Sequence, residues 1–156
     1  MLFARPARSE MVMSWPVRPG VLDLMPDAPE RLVALKAHTT AIGIFAHANG
    51  VDVPVVLAGA YPDPFEDWFE VWMWPTEAMP RHVRPLCRLG RRFLGAAQGN
   101  FGMHRLVAHV KSDWPEALRF ARLFGFELIE RRAVENPVTG WMDRLEWKGD
   151  GDGWTR

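Results

Sequence analysis

The dipeptide Asn49-Gly50 sets the strongest constraint on what this chain can fold into. It separates two apolar runs rich in β-branched residues, 39–48 and 53–61. An Asn-Gly pair readily adopts the positive φ angles of a two-residue hairpin turn, so the runs predict two paired antiparallel strands. An isolated hairpin is marginal in water, and the pair therefore predicts a larger sheet.

The rest of the chain shows further strand and helix patterns, broken by proline and glycine. Strands are predicted at 1–7, 68–74, 104–110, 126–134 and 141–147, and helices at 29–37, at 84–97 and from a cap at Ser112-Asp113 to Gly125. The stretch 8–27 is predicted to be irregular or helical. This order indicates one mixed α/β (α+β) domain over residues 1–148 and a flexible tail over 149–156.

Composition excludes several classes of protein. Of the 156 residues, 48% are hydrophobic, which excludes global disorder, and the formal net charge of zero argues against a nucleic-acid binder. The single cysteine, Cys87, excludes a disulfide framework and is interpreted as a packed residue. The five histidines lack metal-ligand spacing, so no metal is expected. No segment has the pattern of a signal peptide or a membrane span, and a cytoplasmic location is expected.

A basic stretch stands out within this neutral chain. From Ala78 to Ser112 there are six arginines, one lysine and no acidic residue. One interpretation is an anion site in which Arg81, His82, Arg84 and Arg88 bind phosphates. A surface for nucleic acid or an acidic protein is the second, and a solvated helix face is the third.

The helix predicted at 84–97 is amphipathic. Its apolar side is predicted to carry Leu86, Leu89, Phe93 and Leu94. Its polar side is predicted to carry Arg84, Arg88, Arg91 and Arg92.

Two residues are candidate general bases. Glu70 lies in an aromatic strand between Trp68 and Trp72, where burial would disfavour its charged form. The alternatives are an exposed position at a strand edge or a pair with an arginine. His109, near the end of a predicted strand, is either a base or a histidine with a structural role.

One segment carries a resemblance to a known family. Residues 106–110 form a predicted strand, and residues 113–127 a turn and a helix that ends in Leu123-Phe124-Gly125-Phe126. This block resembles the strand–helix–Gly-Phe block of the GNAT (Gcn5-related N-acetyltransferase) superfamily. The aromatic strand, a turn with Thr76 and the segment Arg81-His82-Val83-Arg84 are most similar to bacteriophage-encoded GNAT-like proteins.

The resemblance implies a GNAT-like fold, with a mixed, mostly antiparallel central sheet flanked by helices on both faces. It implies an N-acyltransferase that uses acetyl-CoA and transfers the acetyl group to an amine, with no metal. Glu70 would be the catalytic base. The cofactor would be bound by main-chain groups of Val71, Trp72 and Met73, which hold the pantetheine arm, and by Arg81 and Arg84, which hold the phosphates.

The sequence also departs from the superfamily. Residues 75–84 contain no glycine where the superfamily has its glycine-containing pyrophosphate loop, and the similar letters of 92–97 lie too close to the next strand. Trp114 and Ala121 replace the usual Asn and Tyr. These departures favour an alternative, a catalytically inactive phage protein of GNAT fold in the virion or at a host target. Its partners would be phage structural proteins or a second copy of the chain.

Overall fold

The fold is described from a computed structural model over residues 1–21, 40–137 and 139–149. Its strands are β1 (Leu2–Pro6), β2 (Thr40–Ala48), β3 (Val51–Pro62), β4 (Phe69–Pro75), β5 (Leu106–Lys111), β6 (Phe126–Asn136) and β7 (Gly140–Trp147). Its α-helices are α1 (Ser9–Ser14), α2 (Val83–Asn100) and α3 (Pro115–Phe124), and a 3₁₀ turn, Met79–His82, precedes α2. The helix predicted at 29–37 and nearly all of the predicted tail lie outside the described residues.

The strands form a sheet in the order β1-β2-β3-β4-β5-β7-β6. The pairs β1–β2, β2–β3, β5–β7 and β6–β7 are antiparallel, whereas β4 and β5 pair in parallel. The prediction of a mixed, mostly antiparallel sheet with helices is therefore confirmed.

Two compact units divide the chain. The first contains Met1–Pro62 and Trp72–Leu86, and the second contains Asp63–Val71 and Cys87–Arg156. Strand β4 and helix α2 each contribute residues to both units. The single domain over residues 1–148 stays a prediction.

The hairpin predicted around Asn49-Gly50 is confirmed. Asn49 has φ 52° and Gly50 has φ 76°, the positive angles that the two-residue turn requires. The pairing runs from Ala48↔Val51 to Thr40↔Ala60. The register shifts between Ile44 and Phe45, where Pro54 meets the bulge, a position at which a strand tolerates proline.

Helix α1 lies in the stretch 8–27, for which the sequence left open an irregular or a helical structure. Its Val12 and the following Trp15 are buried, and the Trp15 indole donates a hydrogen bond to the Trp74 carbonyl at 3.2 Å. Burial of these two side chains holds a helix that is too short to be stable by itself.

Helix α3 ends at Gly125 as predicted. Gly125 has φ 102°, and its amide donates to carbonyl oxygens of the last turn. The indole of Trp147 in β7 donates to the Phe124 carbonyl at 3.0 Å. The end of α3 is therefore fixed to the strand that follows it.

Three local predictions are wrong. The residue that precedes α3 is Trp114, which makes no side-chain cap, whereas Ser112 lies two residues earlier and its hydroxyl donates to Asp143 at 2.5 Å. On α2, Arg91 is half-buried and donates to the Leu123 carbonyl, so it does not belong to the solvated face. Phe93, expected on the apolar side, is 38% exposed.

Candidate functional site

Four charged or polar side chains form a row across neighbouring strands of the second unit. The register places His109 of β5 opposite Arg144 of β7, and Arg144 opposite Glu130 of β6. On the other side of β5, Glu70 of β4 pairs with Val107, two residues before His109. We call Glu70, His109, Arg144 and Glu130 the polar row. Strand β7 buries Leu145 and Trp147, and alternation therefore turns Arg144 to the opposite face.

Glu70 and His109, both predicted as candidate bases, form a direct pair. Glu70 Oε1 lies 2.7 Å from His109 Nδ1, and the two side chains are only 13% and 17% exposed. Glu70 is thus neither exposed at a strand edge nor paired with an arginine. A largely desolvated carboxylate with one oxygen hydrogen-bonded is a group that can accept a proton.

Arg144 extends the polar row from the other side of the imidazole. Its Nε donates to His109 Nε2 at 3.3 Å, and its Nη1 lies 3.1 Å from Glu130 Oε2. The guanidinium carbon also stands 4.9 Å from the centre of the buried Trp68 ring, which is a cation–π contact. Arg144 is therefore held by three partners in addition to its own strand.

A second charged cluster lies beside the polar row. Arg105 Nε lies 2.6 Å from Glu146 Oε1, and Arg105 Nη1 lies 2.7 Å from Asp67 Oδ1. Hydrogen bonds from Lys148 and then Arg105 lower the pKa of the Glu146 carboxyl. The hydrogen bond to Glu146 raises the pKa of the Arg105 guanidinium. Both Arg105 and Arg144 contact the Trp68 ring, so this tryptophan lies between the two clusters.

The residues predicted to bind the pantetheine arm lie consecutively in β4. Val71 and Met73 are half-buried, whereas Trp72 is buried and makes an edge contact with Trp74 at 5.9 Å. Buried indoles of this kind pack the core, which leaves main-chain groups as the part of this segment able to bind a ligand.

The residues predicted to bind phosphates follow a turn fixed by Thr76. The buried Thr76 hydroxyl donates to the Pro54 carbonyl at 2.7 Å, and the Thr76 amide donates to the Val55 carbonyl at 3.0 Å. Arg81 in the 3₁₀ turn and Arg84 in the first turn of α2 are both exposed. The first turn of α2 contains no acidic residue, so its positive end is not neutralised from within.

The basic stretch divides into two groups of cations. Arg91, Arg105 and Lys111 are held by partners within the second unit. Arg81, Arg84, Arg88 and Arg92 are exposed, and His82 is half-buried. Four of the six arginines in this stretch are therefore exposed and could contact an anion.

In the described residues, neither Cys87 nor a cluster of potential metal ligands forms a second candidate site. Cys87 is buried, and burial raises the pKa of its thiol in spite of the nearby Arg91, which fits a packed residue. In the described residues, no group of three or more His, Cys, Asp or Glu side chains could hold a metal ion. Nor does the described part of the chain contain a helix long and apolar enough to cross a membrane.

Sequence reasoning missed Arg144 and Glu130. Both lie on the polar positions of strands that it predicted, and period-two alternation marks them only as solvent-facing. Their link to His109 depends on the registers of β5 with β7 and of β6 with β7, for which the sequence carries no direct signal.

Comparison with known proteins identifies the fold. No protein-family model matches the chain, and no curated protein sequence matches it. Among solved structures, a spermidine N-acetyltransferase from Vibrio cholerae in complex with CoA and spermine matches with a TM-score of 0.66 and 13% identity, over 93% of this chain and 94% of that chain. AAC(6')-Ib in complex with paromomycin and acetyl-CoA matches with a TM-score of 0.68 and 14% identity, over 94% and 92%. The chain has the GNAT fold.

A domain from Methanocaldococcus jannaschii shares this GNAT fold, with a TM-score of 0.65 and 12% identity over 94% of this chain and 98% of that chain. At such identities the likeness concerns the fold alone. The resemblance drawn from residues 106–127 is therefore confirmed at the level of the GNAT fold, and the bacteriophage origin stays a prediction.

Proposed function

We propose that the chain is an N-acyltransferase that transfers an acetyl group from acetyl-CoA to an amine. The observation that carries this proposal is the Glu70–His109 pair, a nearly buried carboxylate held by an imidazole in a chain of GNAT fold. Two proteins of the same fold have structures with CoA or acetyl-CoA bound. Glu70 is the proposed catalytic base.

The proposed reaction is a direct transfer. The amine nitrogen attacks the thioester carbonyl carbon, a bond forms between nitrogen and the acyl carbon, and the carbon–sulfur bond breaks. Glu70 accepts the proton that the amine loses and releases it to water, and the CoA thiolate takes up one proton from water, so that the base is regenerated. A positioned base of this kind contributes about 10²–10⁴-fold to the rate.

The proposed cofactor site uses the segment that follows Glu70. Main-chain groups of Val71, Trp72 and Met73 bind the pantetheine arm, and Arg81 and Arg84 bind the phosphates in place of a glycine loop. The exposed guanidiniums and the acid-free first turn of α2 support the phosphate assignment.

Binding is the first test. Purified protein titrated with acetyl-CoA by calorimetry should bind with a Kd on the order of micromolar. Desulfo-CoA should bind comparably because it keeps the phosphates, whereas ADP should bind more weakly because it lacks the pantetheine arm. Arg84→Ala should weaken binding several-fold, and Arg92→Ala, which removes an exposed arginine further along α2, should not. Absence of binding at millimolar ligand would contradict the proposal.

Catalysis is the second test. A screen of primary amines with acetyl-CoA should identify a substrate, and Glu70→Gln should lower kcat by about 10²-fold or more while acetyl-CoA affinity is kept. An unchanged kcat would remove Glu70 from the role of base.

If neither binding nor turnover occurs, the alternative becomes the better proposal. It is a non-catalytic protein of GNAT fold that acts through a protein partner or a second copy. Its phage origin, its place in a virion and the cytoplasmic location are predictions from the sequence alone.

A further inference from the structure

His109 lies between two groups of opposite charge, the Glu70 carboxylate and the Arg144 guanidinium. A guanidinium has only donors, so the Arg144 Nε–H can approach His109 Nε2 at 3.3 Å only if Nε2 carries no hydrogen. The ring hydrogen is then on Nδ1, which donates to Glu70 Oε1 at 2.7 Å. This hydrogen-bond pattern fits the neutral Nδ1–H tautomer of the imidazole.

Arg144 is itself firmly positioned. Its side chain is only 23% exposed, and it contacts Glu130 and the Trp68 ring as well as His109. The charged and titratable groups that face His109 are Glu70 from β4 and Arg144 from β7, and the Trp68 ring centre lies 6.4 Å from the imidazole centre. Arg105 reaches the same tryptophan but is paired with Glu146 and Asp67.

We propose that Arg144 is a positioning residue that acts on Glu70 through His109. By holding a donor against Nε2, it keeps the ring hydrogen on Nδ1 and directs it to Glu70 Oε1. The second carboxylate oxygen, Oε2, then accepts the proton of the amine. This inference rests on the proposed role of Glu70 as base, but the tautomer of His109 can be tested without any substrate.

Nitrogen NMR on the full-length protein gives the direct test. With ¹⁵N-labelled histidine, the His109 signals are assigned by their loss in His109→Gln. At neutral pH, Nε2 should have the shift of an unprotonated nitrogen and Nδ1 that of a protonated one. A wild-type spectrum with a protonated Nε2 would overturn the proposal, whatever any variant does.

Variants then test the part played by Arg144. In Arg144→Leu, Nε2 loses the donor that faces it and can carry a hydrogen itself, so the Nε2 signal should move to the protonated range. Arg119→Leu, the same change at an exposed position of α3, should leave both signals in place. An Nε2 signal that stays unprotonated in folded Arg144→Leu would also overturn the proposal.

Kinetics connects the tautomer to catalysis. Arg144→Leu should lower kcat on the order of tenfold with the KM for acetyl-CoA unchanged, and Arg144→Lys should recover part of the loss. An unchanged kcat in a variant whose tautomer has changed would overturn the link to Glu70. If the wild-type protein binds no acetyl-CoA, the proposed function fails, whereas the NMR result for Arg144 and His109 stands separately.

Discussion

Asp143 is a charged residue in an almost fully buried position, with 3% of its surface exposed. Its Oδ1 accepts hydrogen bonds from the Ser112 hydroxyl at 2.5 Å and from the Arg132 amide at 3.0 Å. Burial alone would raise the pKa of this carboxyl. Those hydrogen bonds and the nearby Arg131 and Arg122 outweigh burial and lower it.

This geometry predicts that Asp143→Asn destabilises the protein by about 2 kcal/mol, because the neutral amide oxygen accepts weaker hydrogen bonds than the carboxylate and the amide adds an NH2 group at a buried position. Ser112→Ala removes only one donor and should cost about 1 kcal/mol. Urea unfolding at neutral pH measures both. Equal stability of wild type and Asp143→Asn would show that the buried charge contributes nothing.

At the same scale, the sequence predicted part of the candidate site. Glu70 was found because a carboxylate within an aromatic strand is unusual, and His109 because it lies near the end of a predicted strand. Their contact was not predicted, since it depends on the pairing of β4 with β5. Arg144 was missed because charged residues on the polar face of a strand are ordinary, and only the β5–β7 register gives it a partner.

Among the elements, α2 offers a matched pair of glycines. A Cβ at Gly90 would overlap the ring of Phe124, whereas a Cβ at Gly95 would make an ordinary contact with Trp147 at 3.8 Å. We expect Gly90→Ala to destabilise the protein by about 2 kcal/mol through overpacking. Gly95→Ala should stabilise it by up to about 1 kcal/mol because alanine favours the helix. A lower urea midpoint for Gly90→Ala and a higher one for Gly95→Ala would confirm this. A stabilising Gly90→Ala would contradict the close packing of α2 on Phe124.

The elements also show where sequence patterns stop being informative. Alternation and the Asn49-Gly50 turn predicted the strands to within a few residues, because those signals are local. Helix α1 depends on the burial of Val12 and Trp15, and the Ser112 hydroxyl, expected at a cap, contacts Asp143 in β7. Long-range contacts decided both cases, and a local pattern contains no information on them.

For the whole molecule, carboxylates whose pKa is lowered by their hydrogen-bond partners set the response to acid. The folded pKa values of Asp143 and Glu146 are lowered from 3.8 and 4.5, so their contribution to stability is present above those values and is lost as the pH falls below them. The net charge, zero at neutral pH, becomes strongly positive over the same range and adds repulsion.

We therefore expect the free energy of unfolding to fall between about pH 5 and about pH 3. The fall should be smaller in Asp143→Asn, which has no carboxyl to protonate there. Glu135→Gln, at an exposed position of β6, is the control and should follow the wild type. Denaturant midpoints across this range are the measurement, and a flat wild-type profile would contradict it.

The position of β7 between β5 and β6 has a consequence for synthesis on the ribosome. Strand β5 leaves the ribosome before β7. At a translation rate of about 5–20 residues per second, β7 follows a few seconds later. During this interval the nascent chain carries an open strand edge, of the kind that chaperones shield and that promotes aggregation. Because Arg144 is made after Glu70 and His109, the hydrogen bond from Arg144 to His109 can form only after the segment that carries the Glu70–His109 pair has been made.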